Sequence, residues 1–217
     1  MKTSTTTETV IIILTLIPFI YLGAIYASIP DEVPMHFNAS GEVDRIGSKA
    51  ELWIMPFVLN AMMYFLFKYL PKLDPKNQIQ KMGNKWTYLR MSMTVFMTIL
   101  SCGIIYISTS GTMNFNASWI YGFTGLLFIV LGNYLPATKP NYFVGIRTPW
   151  TLESDLVWRK THRLGGRLFM ICGLLIIAST FIFSDAFTFW ILIGTTIAIT
   201  LISFIYSYQS FKSLSHE

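Results

Sequence analysis

The chain has 217 residues, of which 53% are apolar, 16% aromatic and only 12% charged. About a quarter of the residues in soluble domains are charged, so this composition excludes an ordinary soluble domain. The net charge of +5 is mostly a signal of membrane topology, and it requires no direct nucleic-acid partner.

Apolar segments long enough to cross a membrane recur along the chain. A bilayer core of about 30 Å requires about 20 apolar residues per helix. Six segments meet this requirement, namely residues 10–29, 52–70, 89–108, 119–135, 168–183 and 187–208. The first is longer than a signal-peptide core and lacks a small-residue cleavage site after it, which favours an anchor. We therefore predict an all-α, polytopic protein with six transmembrane helices, folded as a single membrane domain over residues 1–217.

The basic residues predict how these helices are oriented. Lys and Arg collect in cytoplasmic loops, because positive charge is poorly translocated. Of the 16 basic residues, 14 flank the loops after the second and fourth spans or lie near the termini, which leaves only Arg45 and Lys49 on the other side. We therefore expect both termini to be cytoplasmic, and the uncharged loop 109–118 to be external.

The predicted external segment between the first two spans, residues 30–51, is rich in carboxylates, prolines and glycines. These residue types favour an ordered loop with turns rather than a helix. His36, together with nearby carboxylates such as Asp31 and Asp44, admits a divalent-cation or acid–base site. A single histidine without a characteristic ligand spacing is weak support for that chemistry. We therefore prefer an acidic loop in which His36 is hydrogen-bonded locally, and we expect no metal and no cofactor.

The longest polar interval, residues 132–166, precedes the fifth span, and we call it the signature segment. Thr151 is a plausible N-cap residue, with acidic residues in the following turn and basic residues later, as the helix dipole favours. This order predicts a short helix at the cytoplasmic interface that bends near Gly165 and enters the membrane. His162 is then expected on the polar face of that helix, and a pH-sensing or catalytic role is the alternative.

Two other residue types in the signature segment leave alternatives open. Arg147, in a turn, either binds carbonyl oxygens of neighbouring helices or binds an anionic partner. Trp150 and Trp158 are interpreted as interfacial anchors, with a partner-docking surface as the alternative.

Ionisable residues inside the predicted spans would indicate a proton or ion pathway. Most of these spans contain none, which argues against a proton-coupled transporter. Asn60 and Asn133 are the strongest polar groups at depth, so a small-solute permease or channel is the main alternative function. Cys102 and Cys172 both lie within spans, where they indicate packing rather than a disulfide or a metal site. A membrane enzyme using His36 and the external carboxylates is a less favoured alternative.

Two motifs resemble the SdpI family. The external loop, with its short motif next to the first span, resembles that of SdpI-type proteins, and the segment from Gly132 to Gly166 closely matches the family's signature. The candidate site residues of the external loop, which is of the type found in the DUF1648 family, are Asp31, Glu32, Pro34, His36, Asn38, Gly41, Asp44 and Lys49. Those of the cytoplasmic signature loop, residues 136–166 with the preceding turn, are Asn133, Pro136, Asn141, Gly145, Arg147, Thr148, Pro149, Trp150, Trp158, Arg159, Lys160, His162 and Gly165.

The resemblance implies a bacterial immunity protein in the cell membrane rather than an enzyme. The family's founding member protects its own cell from a secreted killing peptide that collapses the membrane potential. It is also understood to act as a receptor that holds a small transcriptional autorepressor at the membrane when the toxin is present. The implied partners are therefore a toxin peptide, which would face the external loop, a cytoplasmic autorepressor, which would dock on the signature segment, and membrane lipid.

Overall fold

The computed structural model describes residues 4–38, 41–110 and 118–214. Within these residues, six helices are long and apolar enough to cross a membrane. They span Thr5–Ser28, Lys49–Leu73, Asn84–Thr109, Ser118–Ala137, Asp155–Ile182 and Asp185–Leu214. The predicted all-α, polytopic fold is thereby confirmed, and each predicted span lies in one of these helices, apart from one residue at the C-terminal end of the first and of the fifth span. The predicted external loop 109–118 lies mostly outside the described residues.

The regular elements are two strands and eight α-helices. In chain order they are α1 (Thr5–Ile25), β1 (Glu32–Phe37), β2 (Val43–Ser48), α2 (Ile54–Pro56), α3 (Met63–Leu73), α4 (Asn84–Thr109), α5 (Ser118–Tyr134), α6 (Pro149–Glu153), α7 (Asp155–Ile182) and α8 (Asp185–Leu214), counted over the described residues. The second span is a composite: a 3₁₀ turn at Lys49–Trp53 precedes α2, and a π-helical turn at Phe57–Met62 joins α2 to α3.

The chain divides into two compact units. Residues 1–69 and 87–117 belong to the first unit, and residues 70–86 and 118–217 belong to the second. The first unit therefore contains residues 30–51, which we call the acidic segment, and the second unit contains the signature segment. That the whole chain acts as a single membrane domain stays a prediction.

In the first unit the acidic segment forms a β-hairpin, where the sequence predicted a loop with turns. Strands β1 and β2 pair in antiparallel fashion, from Glu32 opposite Ser48 to Phe37 opposite Val43, with irregular register around His36. Val33 is only 2% exposed and packs in an apolar cluster with residues of α1, the second span and α4. The strands were not predicted from sequence, because the segment is rich in proline and glycine and both residues are rare in strand interiors.

In the second unit the close packing of α5 on α7 depends on glycines. A methyl group at Gly132 would lie 2.6 Å from the Gly166 carbonyl oxygen, and one at Gly173 would lie 2.5 Å from the Gly125 carbonyl oxygen. Small residues let helix backbones approach closely in a membrane, where packing rather than water exclusion drives helix association. These glycine pairs therefore set the spacing of the two helices.

The prediction for the region before the fifth span is right in outline and wrong in its details. A short helix, α6, does precede the span, but Thr148 rather than Thr151 is its N-cap residue. The chain then breaks at Ser154, which caps α7, and α7 is an uninterrupted helix through Gly165. Trp158, Arg159, Lys160 and His162 therefore lie on the spanning helix itself, and no separate interfacial helix carries them.

Candidate functional site

The hairpin presents an outward face that mixes carboxylates with an apolar side chain. Glu32, His36 and Asp44 are exposed, whereas Val33 points into the core. Ile46, which pairs with Pro34 across the strands, is 60% exposed. Sequence reasoning did not single out Ile46, because its exposure follows from the alternation of side chains along a strand.

Ion pairs within the hairpin connect most of its charged residues. His36 Nδ1 lies 2.6 Å from Asp44 Oδ1, as expected for a locally hydrogen-bonded histidine. Arg45 donates to Glu51 at 2.5 Å. Lys49 Nζ lies 3.0 Å from the carboxylate of Asp31 and also donates to a backbone carbonyl at the end of the first span. Exposed ion pairs contribute little stability each, so these contacts mainly orient the charges.

The tip of the hairpin is organised by Asn38. Its Oδ1 accepts from the Glu42 N–H at 3.0 Å, and its Nδ2 donates to the Glu42 carboxylate at 2.9 Å. Gly41 follows with φ of 83°, in the left-handed region that favours glycine. Among the described residues no group of three or more potential metal ligands comes together, in the hairpin or elsewhere.

In the signature segment Asn141 determines the loop conformation. It is fully buried, and its side chain makes four hydrogen bonds to the backbone of its own loop. Oδ1 accepts from the N–H groups of Phe143 and Val144, and Nδ2 donates to the carbonyls of Lys139 and Val144. A buried amide with all these bonds made holds one loop geometry, because any other would leave polar groups unsatisfied. Asn141 is therefore a structural residue and presents no docking surface.

His162 and Trp158 lie beneath this loop, and the prediction of an exposed His162 on a polar helix face is wrong. His162 is 1% exposed and stacks on the Trp158 ring, with 4.0 Å between the ring centres. Its Nε2 accepts from the Ile146 N–H at 2.9 Å, and its Nδ1 lies 2.8 Å from the Trp158 carbonyl oxygen. Only the neutral ring with a proton on Nδ1 satisfies both contacts. The loop covers this side of α7, and the ring therefore serves as a fixed acceptor for the loop backbone.

Trp158 is likewise not an interfacial anchor. It is fully buried, and its indole N–H donates to the Thr138 carbonyl at 3.0 Å. Gly145 has φ of 120°, and a methyl group there would collide with the His162 ring. Gly165 provides similar close approach for the side chain of Ile146. Trp150, in contrast, is half-buried and packs against aromatic rings of α8.

A hydroxyl cluster attaches α6 to α8. Thr148 and Thr151 form a reciprocal cap, in which the backbone N–H of each contacts the side-chain oxygen of the other. The Thr148 hydroxyl also donates to Ser207 Oγ of α8 at 3.0 Å. Pro149 occupies the first turn of α6, where a missing N–H costs nothing. The threonine and proline of the motif thus have structural roles that the sequence motif alone did not reveal.

The basic residues of the segment remain on the surface. Arg159 and Lys160 are exposed on α7, and Arg147 is exposed in the loop. The Arg147 guanidinium donates to the Tyr142 carbonyl at 2.5 Å, so it binds its own loop rather than neighbouring helices. Asn133 and Pro136 are exposed as well. The predicted docking residues that remain exposed therefore include these three charged side chains.

The first unit also contains an ionic cluster that sequence reasoning missed. Arg90, whose side chain is 6% exposed, makes two hydrogen bonds with Glu8 at 2.7 and 3.1 Å. Tyr64 donates to the same carboxylate at 2.7 Å, and Lys68 lies 3.3 Å from it. Arg90 and Lys68 were counted as topology signals, and Glu8 lay just outside the predicted first span. Glu8 and Arg90 are 82 residues apart along the chain, so no local sequence pattern indicated that they form an ion pair.

The two asparagines of the permease alternative have different surroundings. Asn60 is 3% exposed in the first unit, and its Nδ2 lies 3.3 Å from Thr98 Oγ1. The cavity beside it has a volume of about 10 Å³ and a mostly apolar lining, which is barely enough for one water molecule. Asn133 is exposed on α5 of the second unit.

Comparisons with known proteins match both motif regions. Residues 137–207 match the family described as the SdpI/YfhL protein family, and residues 13–59 match DUF1648, described as a domain of unknown function. Immunity protein SdpI of Bacillus subtilis (strain 168) is 24% identical over 204 residues, which cover 94% of this chain and 95% of that protein. The chain is thus similar to the SdpI/YfhL family over residues 137–207.

The chain is a multi-pass protein of the cell membrane. A second relative, an uncharacterized protein of Archaeoglobus fulgidus, is 51% identical over 35 residues, or 16% of this chain and 19% of that protein. No solved structure matches the chain. The family model covers α7 and the loop packed on it, so the buried geometry around His162 lies within the matched region.

Proposed function

We propose that this chain is an immunity protein that protects its cell from a secreted, membrane-active killing peptide. The observation that carries this proposal is its similarity to Immunity protein SdpI along 94% of the chain. The hairpin is the proposed toxin-facing surface. Its exposed carboxylates and the exposed Ile46 suit a peptide that is both apolar and cationic, since like polarity and opposite charge favour association.

Residues for testing the hairpin are selected by their contacts. Asp31 and Asp44 are already held in ion pairs, so changing either one also releases the charge of its partner. Glu32 and Ile46 are exposed, and neither side chain supports the fold. A double variant, Glu32→Gln with Ile46→Asn, therefore removes charge and apolar surface with little effect on folding. Glu153→Gln is the matched control, because it removes one exposed carboxylate from α6 in the other unit.

The test is protection of a toxin-sensitive bacterium that expresses each variant at equal membrane level. After challenge with the killing peptide of SdpI-type systems, the unmodified chain and Glu153→Gln are expected to preserve membrane potential. The hairpin variant is expected to tolerate a dose about tenfold lower, equivalent to ~1.4 kcal/mol of binding free energy. Full protection by the hairpin variant would remove the hairpin from the proposal. Collapse of the potential with the unmodified chain would remove the immunity function against this peptide.

The finer part of the proposal is that the chain is also a receptor that sequesters a cytoplasmic transcriptional repressor. The supporting observation is the exposed basic surface at Arg159 and Lys160. The burial of Asn141, Trp158 and His162 excludes those three side chains from such docking. Because a repressor is soluble, this role depends on a cytoplasmic position for the signature segment, which is a property of the whole molecule.

A further inference from the structure

A cleft beside α7 is lined by several cationic side chains that are not paired with carboxylates of the residues that the structure describes. It has a volume of about 340 Å³, and its lining combines leucines of α7 with Tyr206 of α8 and a set of cations. These cations are Arg159, Lys160, Arg163 and Arg167. Within the described part of the chain, none of them forms an ion pair with a carboxylate. The cleft therefore offers uncompensated positive charge to an anion.

The cationic surface continues directly into an apolar one. Successive turns of a helix place residues three or four apart on one face, so Arg163, Arg167, Ile171 and Leu174 form a continuous row along α7. Ile171 is 55% exposed and Leu174 is 60% exposed. On α8, Ile202 lies one turn from Tyr206 and is 43% exposed. A single ligand that covers this surface needs an anionic group at one end and a hydrocarbon chain at the other.

The cationic cleft together with the adjacent apolar row distinguishes between the possible anionic ligands. Free phosphate would account for the cations but not for the exposed apolar row beside them. An acidic soluble protein would likewise leave that row uncovered, because the row lies within a helix long enough to span the membrane. A phospholipid matches both parts, since basic pockets at the ends of membrane helices suit lipid headgroups. Arginine further favours a phosphate through paired hydrogen bonds.

We propose that the cleft binds the headgroup of an anionic phospholipid, with its acyl chains lying along the exposed row of α7. Arg163 and Arg167 contact the phosphate, because they stand between the cleft and the apolar row. Tyr206 closes the α8 side. The site is independent of toxin protection, and it shares Arg159 and Lys160 with the surface proposed for repressor docking.

The test measures lipid binding by the purified full-length chain in a neutral detergent. Phosphatidylglycerol, phosphatidylcholine or inorganic phosphate is added, and the thermal midpoint and the bound lipid retained in native mass spectrometry are recorded. Phosphatidylglycerol alone is expected to raise the midpoint and to remain bound. The double variant Arg163→Gln with Arg167→Gln is expected to bind phosphatidylglycerol about tenfold more weakly, because it lacks two cations that attract the lipid headgroup.

The control removes the same charge elsewhere. Lys81 and Lys85 are exposed, belong to the same unit and lie outside the cleft. The variant Lys81→Gln with Lys85→Gln is expected to bind phosphatidylglycerol as the unmodified chain does. Equal weakening in the two double variants would overturn the proposal, because it would indicate attraction by net charge alone. Equal stabilisation by phosphatidylcholine, or by inorganic phosphate, would overturn it as well.

Discussion

The buried polar residues of the signature segment act by satisfying backbone groups. Asn141 bonds to the backbone of its own loop, and His162 accepts from the Ile146 N–H. Thr148 caps α6. A loop cannot be buried against a helix unless its N–H and C=O groups find partners, because each unsatisfied group costs ~1–3 kcal/mol. The buried polar residues of the signature segment therefore allow its loop to pack on α7.

His162→Phe tests this interpretation at a single residue. The substitution keeps an aromatic ring that can stack on Trp158, but it leaves the Ile146 N–H without its acceptor. We expect a loss of ~1–3 kcal/mol of stability, seen as a lower thermal midpoint and faster amide exchange at Ile146. The matched control is His36→Phe, since the side chain of His36 is 67% exposed and its surface ion pair contributes little. Unchanged exchange at Ile146 in the His162 variant would contradict the assigned role.

At the scale of the elements, the helix pair α5 and α7 forms the framework of the second unit. Gly125 and Gly132 of α5 face Gly173 and Gly166 of α7. Within each helix the two glycines are seven residues apart, which is close to two helical turns, so they lie on the same face. The backbones approach closely at both glycine pairs, where an added methyl group would collide with a carbonyl oxygen of the opposite helix.

Gly132→Ala and Gly166→Ala are expected to destabilise this pair. Each added methyl group would lie 2.6 Å from a carbonyl oxygen of the opposite helix, and overpacking of this kind costs ~1–3 kcal/mol. Gly194→Ala in α8 is the control, because a methyl group there meets nothing within 4 Å and alanine favours the helix. Thermal unfolding in detergent gives the comparison. If the three variants unfolded at the same temperature, the glycine pairs would not set the helix spacing.

At the scale of the whole molecule, orientation decides which proposed partner reaches which surface. The count of basic residues predicts cytoplasmic termini, and with them a cytoplasmic signature segment and an external hairpin. This orientation stays a prediction. Toxin protection requires the hairpin outside, and repressor capture requires Arg159 and Lys160 inside.

Both requirements are tested in one experiment on living cells. A fluorescent reporter that is active only in the cytoplasm is fused to the C-terminus, and a tagged autorepressor of an SdpI-type operon is co-expressed. The fusion is expected to fluoresce, and the repressor is expected to move to the membrane when the killing peptide is present. Arg159→Gln with Lys160→Gln should release the repressor, while Lys81→Gln with Lys85→Gln should retain it. A dark fusion would refute the orientation, and capture by the first variant would place docking elsewhere.

The sequence by itself determined the class of fold and the approximate limits of the spans. Length and apolar content decide these properties, since any segment of about 20 apolar residues satisfies its backbone as a helix in lipid. It also located the short helix before the fifth span, because cap residues and an acidic first turn are local signals. The error of three residues in its cap, Thr148 in place of Thr151, reflects two threonines that can each play that part.

Only the tertiary structure decided which polar residues are buried. His162 follows two basic residues on α7, so its neighbours in sequence indicate solvent, yet a loop 16 residues earlier supplies its partner and covers it. Glu8 and Arg90 are similar, with 82 residues between them. Burial depends on which face of a helix meets another segment, and side-chain types do not carry that information. The signature segment was therefore located from sequence, but the division of its residues into packing and surface roles required the fold.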